Sequence, residues 1–423
     1  MTPAAPQGSP LGDPVCIGAD GPIGPGRFLA DVAAARARLM GHDAICNMAP
    51  GRYDFAVLLV AAMANGQTTV LPPSRADGAV AAALAGWAAP LVADGLDALG
   101  LGRATPAGAA GVPTLPALPG QVHVFTSGST GTPIRHVKTW HSLAAGARLT
   151  AEIVARAGLP TGRTALLGTT PHQHMYGLEA AILAGLAHGC CLHGTTVFFP
   201  ADIEPAVALA EAQGIARIVL VTSPPHLRFL EEAILATPQI ACVISATAPL
   251  HRDVARRIEA DGGRKVFEIY GSTETGSLAW RRSAQTDIWT PLDGFEILPG
   301  PEAWYATAPH LDAAMPLGDE IAPLGDGRFR LLGRRGDMVS IAGKRQTLGA
   351  LNAALATMPG LTDAVILSEP GDGDDRLTVF VVTDAGADRD LSPLRRAIRA
   401  HLIGFVDPVF VPRRIHRVAR IPR

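Results

Sequence analysis

The chain has 423 residues, of which 48% are hydrophobic, and its formal net charge is −2. This length exceeds the usual size of one domain and predicts two or three lobes with substantial cores. The charge balance argues against nucleic acid as a partner, and the most apolar run, residues 55–64, is too short to span a bilayer. Five cysteines without C-x-x-C or zinc-ligand spacing favour a reduced, cytoplasmic interior.

The first 270 residues alternate between predicted helices and predicted strands. A helix over 27–41, a strand over 44–49, an apolar helix over 53–65 and a strand over 68–73 come first. The alternating segment 121–125 leads into a loop rich in Ser, Thr and Gly, after which we expect a helix. Further strands are predicted at 164–170, 216–223, 241–246 and 265–271, with helices at 176–188, 203–213, 225–236 and 251–262. This order predicts a layered α/β domain whose ligands gather at the carboxyl ends of the strands.

The pattern changes from about residue 295, where short β-like segments with Gly-Asp turns begin. Residues 365–384 read as a β-hairpin, and a helix is predicted near 392–403. We therefore predict an α/β fold with a large N-terminal domain over 1–335 and a small, mobile α+β domain over 337–423.

The loop "TSGSTG" follows the strand at 121–125, and its glycines and hydroxyl side chains suit an anion. Glycine permits positive φ, so successive backbone amides can form a nest for phosphate oxygens. The loop lacks the G-x-x-x-x-G-K-[ST] spacing, which disfavours a Walker-type NTPase. An ordinary flexible turn is the alternative. Its residues are Thr126, Ser127, Gly128, Ser129, Thr130 and Gly131.

Two later motifs carry groups that complement a nucleotide. In "YGSTETG" (270–276), Thr273 offers a hydroxyl and Glu274 a carboxylate, which suits a phosphate and the Mg²⁺ that accompanies it. In "PLGDE" and the segment 329–345, Asp319 can accept both ribose hydroxyls and Arg334 can reach ribose or phosphate. A polar turn and a charged surface hairpin are the respective alternatives.

In this order, the motifs resemble those of the adenylate-forming superfamily, which comprises acyl-CoA synthetases, adenylation domains of peptide synthetases, and luciferases. The matching segments are "TSGSTGTP" (126–133), "PHQHMYG" (171–177), "ATAPL" (246–250), "YGSTETG" (270–276), "GD" (318–319) and "GRRGDMVSIAG" (333–343). More narrowly, "FTSGSTG-x-P-x-x-H-x-K-x-W" resembles the AMP ligases of aryl polyene and xanthomonadin pigment clusters.

The resemblance implies a reaction and a set of site residues. A carboxylic acid is joined to the α-phosphate of ATP, with Mg²⁺, and the acyl group then passes to the thiol of an acyl carrier protein or of CoA. The implied catalytic residues are Thr126, Lys138, His174 and Glu274, of which Glu274 also holds the metal. The implied nucleotide-binding residues are the loop 126–131, Ala246, Ala248, Pro249, Tyr270, Gly271, Ser272, Thr273, Asp319 and Arg334. The implied substrate pocket contains His174, Met175, Tyr176, Gly177 and Ala246.

The sequence departs from the family pattern after the loop. Most members carry lysine after the loop proline, whereas Ile134 follows Pro133 here. We expect Arg135 or Lys138 to take over the phosphate contact. Lys138 is one of three lysines in the chain, which favours a functional role over that of a solvated surface residue.

Two further departures concern the C-terminal part. The hinge position, usually Asp or Lys, is occupied by Gly336, which can absorb large backbone rotations, although a plain hairpin glycine is an equal alternative. Residues 413–423 resemble the lead-in to the family's last motif, whose Gly-Lys pair is not contained in the sequence. Either the sequence stops before that pair, or the protein adenylates without it.

The identity of residue 175 bears on the substrate. Amino-acid-activating relatives carry an Asp at this place, whereas Met175 cannot bind an ammonium group. We therefore expect an aromatic or unsaturated acid, such as a hydroxybenzoate, with His174 gating the carboxylate pocket. The alternative to a ligase is a catalytically impaired protein that keeps the fold and binds nucleotide or acid.

Overall fold

The computed structural model describes the chain in eight ranges. They are 9–102, 114–126, 134–260, 262–334, 338–341, 344–369, 376–383 and 391–421. The chain divides into two compact units, of which the larger comprises Met1–Phe295 with Ala308–Ala313 and the smaller comprises Glu296–Thr307 with Ala314–Arg423. Among the described helices, none combines the length and the apolar character that crossing a membrane requires.

The strands of the larger unit are mostly short. They are β1 (Ser9–Pro10), β2 (Cys16–Gly18), β3 (Gly21–Ile23), β4 (Ala44–Asn47), β5 (Thr68–Leu71), β6 (Pro90–Ala93), β7 (Thr114–Leu115), β8 (Gln121–Thr126), β9 (Ile134–Thr139), β10 (Thr164–Gly168), β11 (Cys191–Thr196), β12 (Arg217–Thr222), β13 (Ile240–Ser245), β14 (Lys265–Ser272), β15 (Gly276–Arg281) and β16 (Ile288–Pro291).

The helices of the larger unit include those predicted at 27–41, 53–65, 203–213, 225–236 and 251–262, and one, α3, that the sequence did not predict. They are α1 (Pro25–Leu39), α2 (Arg52–Ala64), α3 (Asp77–Leu84), α4 (Trp140–Arg156), α5 (Met175–Gly177), α6 (Ala184–His188), α7 (Ile203–Ala212), α8 (Pro224–Leu235) and α9 (Arg252–Glu259). A π-helical segment, Leu178–Leu183, joins α5 to α6. The predicted helix at 176–188 is therefore confirmed, with an irregular middle.

Two largely parallel sheets build the larger unit. In one, the strands run in the order β16-β15-β14-β13-β12-β10-β11-β2-β3, parallel from β14 to β2 and antiparallel on either side. In the other, the order is β6-β4-β5-β8-β9, and only β8 and β9 are antiparallel. The carboxyl ends of β10, β12, β13 and β14 meet at one edge, where an α/β sheet binds its ligands.

One hydrophobic cluster joins the helices of the larger unit to its strands. Its members include Phe28 of α1, Leu58 of α2, Leu143 of α4, Ile182 of the π segment and Val124 of β8. Helix α2 is apolar on all sides and buried along nearly its whole length, as expected of a helix in the core of a large domain. Each fully buried Leu or Phe side chain contributes about 1.5–3 kcal/mol to stability.

A buried arginine ties α2 to the parallel sheet. Arg52, which is 0% exposed, begins α2. Its Nη1 donates to the carbonyl oxygens of His193 at 3.3 Å and Thr195 at 2.9 Å, and its Nη2 donates to that of Gly168 at 2.7 Å. Burial lowers the pKa of Arg52 to about 10, so the guanidinium stays charged near neutral pH. The link therefore fixes α2 against the ends of β10 and β11.

The described residues of the smaller unit form short strands and two α-helices. They are β17 (Glu296–Pro299), β18 (Trp304–Thr307), β19 (Met315–Pro316), β20 (Asp319–Pro323), β21 (Phe329–Arg334), β22 (Met338–Ile341), β23 (Lys344–Thr347), α10 (Leu348–Ala356), β24 (Asp363–Glu369), β25 (Arg376–Val382), α11 (Ser392–Ile403) and β26 (Arg414–Arg417). Strands β24 and β25 form the predicted hairpin, and β26 pairs in parallel with β25. Leu351 and Leu355 of α10 share a core with Val379, Ile398 and Leu402.

The expectation of a helix directly after the Ser/Thr/Gly loop is wrong. Strand β9 follows the loop and pairs antiparallel with β8. The segment "IRHVKT" contains the β-branched residues Ile134 and Val137, which favour a strand, and the helix begins only where Thr139 caps it. Thr139 Oγ1 accepts from the backbone N–H of Ser142 at 3.2 Å, and Ser142 Oγ accepts from that of Thr139 at 3.1 Å. This reciprocal capping box sets the start of α4.

The domain boundary near 336 stays a prediction, because Gly336 lies outside the described residues. The smaller unit also takes in residues 296–307 and 314–334, which the sequence prediction had placed in the large domain.

We expect Arg52→Met to destabilise the larger unit strongly. The change leaves two buried carbonyl groups and one partly buried carbonyl group without their donor, and each buried unsatisfied group costs about 1–3 kcal/mol. Denaturant unfolding followed by tryptophan fluorescence measures the loss, expected at about 3 kcal/mol or more. The control is Arg257→Met, because Arg257 pairs with Glu231 at 2.6 Å near the surface and an exposed pair contributes about 0–1 kcal/mol. Equal losses for the two variants would contradict the role of Arg52.

Candidate active site at the β8–β9 hairpin and the β14–β15 turn

The turn that joins β14 to β15 is held closed by its own side chains. Thr275 Oγ1 accepts from the backbone N–H of Ser272 at 3.1 Å, and Ser272 Oγ accepts from that of Thr275 at 3.2 Å. A Cβ at Gly271 would overlap the carbonyl oxygen of Gly276, and Gly276 itself has φ +70°. Both positions therefore require glycine, and the tight turn presents Glu274 at its tip.

The β8–β9 hairpin brings three side chains to this turn. Thr126 Oγ1 lies 3.0 Å from His136 Nε2, within hydrogen-bond distance. The same ring nitrogen lies 3.7 Å from Glu274 Oε1, and Lys138 Nζ donates to the backbone carbonyl of Glu274 at 2.8 Å. His136 and Lys138 are two positions apart on β9 and so share one face of the sheet. The structure thus brings Thr126, Lys138 and Glu274 close together, and their catalytic and binding roles stay predictions.

The charges at this cluster are partly buried. Burial lowers the pKa of Lys138, although nearby carboxylates, with Glu179 first among them, oppose that shift. Burial also lowers the pKa of His136, with Glu274 opposing and Lys138 adding to the effect. His136 is therefore neutral near pH 7, and its Nε2 can either donate a hydrogen bond to the Thr126 hydroxyl or accept one from it. The Glu274 side chain is 40% exposed and available to a ligand.

A buried carboxylate lies beneath the turn. Glu179, in the π-helical segment, is 1% exposed, and its Oε2 accepts from Ser277 N at 2.8 Å and Ser277 Oγ at 2.7 Å. A Cβ at either Gly146 of α4 or Gly276 would overlap Glu179 Oε1. Burial raises the pKa of Glu179 to about 7, against the opposing effects of its Ser277 bonds and of Lys138. π-Helical segments occur often at functional sites, and this one places a carboxylate next to the turn.

The residues predicted to line the substrate pocket have different surroundings. Tyr176 donates its hydroxyl to the carbonyl of Ile244 at 2.9 Å, which fixes α5 beside β13, the strand that precedes Ala246. Met175 belongs to the hydrophobic core cluster of the larger unit, whereas His174 is exposed. A Cβ at Gly177 would overlap the carbonyl of Pro171, so this position requires glycine. The pocket roles of these residues stay predictions.

The segment predicted to face adenine contains a strained residue. Ala246 is buried at the end of β13, and Ala248 and Pro249 are exposed. Between them, Thr247 has φ +78°, and within the described ranges it is the one non-glycine residue with a positive φ. Such a conformation costs about 1–3 kcal/mol for a residue with a Cβ and is concentrated at ligand sites. The strain supports a binding role for this segment.

The remaining nucleotide-binding candidates are divided between the two units. Asp319 and Arg334 belong to the smaller unit, where they face each other directly across the β20–β21 ladder. Tyr270 packs its ring 5.6 Å from that of Trp289, within the larger unit. Ser127, Gly128, Ser129, Thr130 and Gly131 lie outside the described residues, as does the predicted hinge residue Gly336.

Sequence reasoning missed His136 and Glu179. The signal for His136 is the H-x-K spacing, which becomes informative once the segment is recognised as a strand. The signal for Glu179 is a single acidic residue within the apolar run 175–187. Charged residues are almost never fully buried without a partner, so such a residue marks a specific contact.

The donor set at the turn fits Mg²⁺ with a bound nucleotide. Glu274 supplies one accessible carboxylate. Thr126 supplies a hydroxyl, and His136 Nε2 lies between this hydroxyl and the carboxylate. Mg²⁺ is commonly held by one or two carboxylates together with substrate phosphates and water. Within the described residues, no group of three or more His, Cys, Asp or Glu side chains forms a ready-made metal cage.

A family comparison covers this site. The AMP-binding enzyme family matches residues 121–297. That stretch contains the β8–β9 hairpin, the strained segment after β13 and the turn that carries Glu274.

Individual proteins are similar over longer stretches. The chain is 32% identical to 4-coumarate–CoA ligase of Rhodobacter capsulatus, over 64% of this chain and 66% of that ligase. It is 26% identical to the L-proline–[L-prolyl-carrier protein] ligase of Streptomyces coelicolor, over 71% of this chain and 62% of that protein. The chain thus spans somewhat less than two thirds of the length of each relative.

The fold also has a close counterpart among solved structures. The ATP-bound crystal structure of MatB from Rhodopseudomonas palustris matches 97% of this chain and 93% of its own, with a TM-score of 0.74 and 22% identity. This likeness shows the fold, a mixed α/β architecture with a large sheet, and confirms the predicted fold class.

We expect Gly146→Ala to destabilise the protein. An alanine in a helix interior normally stabilises it by about 0.5–1 kcal/mol relative to glycine. At Gly146, however, the new methyl group would displace the Glu179 carboxylate from its slot. Thermal unfolding should show a lower midpoint for this variant and an unchanged or higher midpoint for Gly78→Ala, because a Cβ at Gly78 of α3 meets open space. A stabilised Gly146→Ala would show that the slot is not tight.

Proposed function

We propose that this chain, whose family match and sequence relatives support its membership of the AMP-binding, adenylate-forming superfamily, activates a carboxylic acid with ATP. The product is an acyl-adenylate, and the acyl group then passes to a thiol. The observation that carries the proposal is the meeting of Thr126, His136 and Glu274, which lie on separate segments of the chain, at one turn. This turn follows a strand of the large parallel sheet, at the edge where such sheets bind ligands.

The reaction brings two anions together. A carboxylate oxygen attacks the α-phosphorus of ATP, the new P–O bond forms, and the bond to the β-phosphate breaks as pyrophosphate leaves. Bound Mg²⁺ would compensate the phosphate charge, and the Glu274 carboxylate would hold it. The hydroxyl of Thr126 can donate to a phosphate oxygen, and a preorganised donor of this kind contributes about 2.7–4 kcal/mol to transition-state stabilisation.

The proposed substrate is an aromatic or unsaturated acid, such as a hydroxybenzoate. Support comes from a relative named for 4-coumarate, at 32% identity, and from the resemblance to pigment-cluster AMP ligases. Methionine at position 175, buried in the apolar core, offers no carboxylate to the ammonium group of an amino acid. The proposed acceptor is the thiol of CoA or of a carrier-protein phosphopantetheine, since one relative is named for each.

We expect ATP–pyrophosphate exchange that depends on an added acid. A panel of hydroxybenzoates, cinnamates, amino acids and saturated fatty acids should give exchange with an aryl or unsaturated member, and AMP rather than ADP should accumulate once a thiol is supplied. CoA and a phosphopantetheine-loaded carrier protein are compared as acceptors. Nucleotide binding without exchange for any acid would reject the ligase in favour of a binding protein.

We expect Glu274→Gln to slow this exchange by at least about 100-fold, because losing even an outer-shell partner of a metal costs 10–100-fold. The control is Glu302→Gln, since Glu302 is an exposed glutamate of the smaller unit. Comparable exchange by the two variants would remove Glu274 from the site.

A further inference from the structure

Lys138 reaches the turn from the hairpin side. It is 6% exposed, and its ammonium donates to the backbone carbonyl of Glu274 rather than pointing into solvent. An ammonium group has three donors, and a hydrogen bond from a charged donor is about twice as strong as a neutral one. Lys138 therefore fixes the backbone of Glu274, whose side chain is 40% exposed.

Glu179 reaches the same turn from the helix side. Its Oε2 accepts hydrogen bonds from the backbone N–H and the hydroxyl of Ser277, the residue that follows Gly276 in β15. Its second oxygen, Oε1, has no hydrogen-bond partner among the described residues. Two glycines, Gly146 and Gly276, make room for it, so the carboxylate has little freedom to move.

The two side chains also act on each other. Lys138 and Glu179 interact electrostatically, and for Lys138 the attraction to Glu179 ranks ahead of those to Glu274 and Asp312. Removing one of two buried opposite charges leaves the other uncompensated, whereas removing both often leaves stability unchanged. The pair is therefore expected to behave as a unit.

We propose that Lys138 and Glu179 are positioning residues that hold the Glu274 turn from its two sides and so aim the Glu274 carboxylate at the cation and phosphates of the nucleotide. This inference rests on the proposed function for the identity of the ligand. It assigns Lys138 a role through Glu274, in place of the direct phosphate contact expected from the sequence.

The test compares Lys138→Met, Glu179→Gln, the double variant and Lys265→Met. Lys265 is a matched control, because its ammonium also donates to a backbone carbonyl, that of Arg156 at 3.0 Å, but at the other end of β14. The Kd of ATP is measured by calorimetry with Mg²⁺ and again with EDTA, so that the effect on the cation is separated from the effect on the nucleotide.

We expect Lys138→Met to raise the Kd of ATP about tenfold with Mg²⁺, the range for loss of a partner that orients a metal ligand, and less than about twofold with EDTA. Glu179→Gln should act in the same direction. The double variant should be no weaker than the worse single variant, because the two residues act together. Lys265→Met should match the wild type in both conditions.

Three results would overturn the inference: additive effects of the two single variants, equal losses with Mg²⁺ and with EDTA, or wild-type binding that is the same in both conditions. If Lys138→Met does not fold, the double variant, which leaves no unpaired charge, decides the same question. If the wild type binds ATP in a Mg²⁺-dependent way but shows no acid-dependent ATP–pyrophosphate exchange, the ligase is rejected. The Kd values of the variants still test whether Lys138 and Glu179 position Glu274.

Discussion

In the larger unit, the geometry of the candidate site depends on one buried carboxylate, that of Glu179. The space around this carboxylate is too small for a Cβ on either neighbouring glycine. Glu179 fits between Gly146 and Gly276, and its bonds to Ser277 couple α4, the π-helical segment and β15 at one point. A carboxylate buried this deeply is favourable only with strong partners. The charge of Lys138 and the two donors of Ser277 supply them. The geometry of the Glu274 turn follows from this arrangement.

Arg52 plays a complementary part in the scaffold. Its guanidinium remains charged throughout the neutral range, and the three carbonyls that it contacts belong to two strands of the large sheet. Glu179, by contrast, has a pKa near 7. The larger unit thus combines a permanently charged link in its scaffold with a group beside its site that can change protonation. Arg52 thus keeps its charge across the neutral pH range, whereas Glu179 can gain or lose a proton within it.

Much of the fold was readable from the sequence, and the reasons are local. The helix over 27–41 and the strands near 216–223 and 241–246 were found because their apolar patterns match one period clearly. Strand β9 was missed because its polar residues do not look like a buried strand and because a phosphate loop is often followed by a helix. Glu274 and the glycines of its motif were singled out from their residue types and from the resemblance to the family's Thr-Glu motif. Glu179 was missed because its partner Ser277 is distant in sequence, and only folding brings the two together.

The direct passage from β9 into α4 has a consequence for how the site could be observed. Thr139 ends the strand and caps the helix, so no flexible residue separates the hairpin from α4. Gly146 lies six positions after Trp140, a rise of about 9 Å along the helix, so one stiff segment runs from β9 to the carboxylate of Glu179. The indole of Trp140, 6% exposed, lies at the junction. Any movement of the hairpin strand is therefore transmitted directly to the surroundings of this indole, one of five tryptophans in the chain.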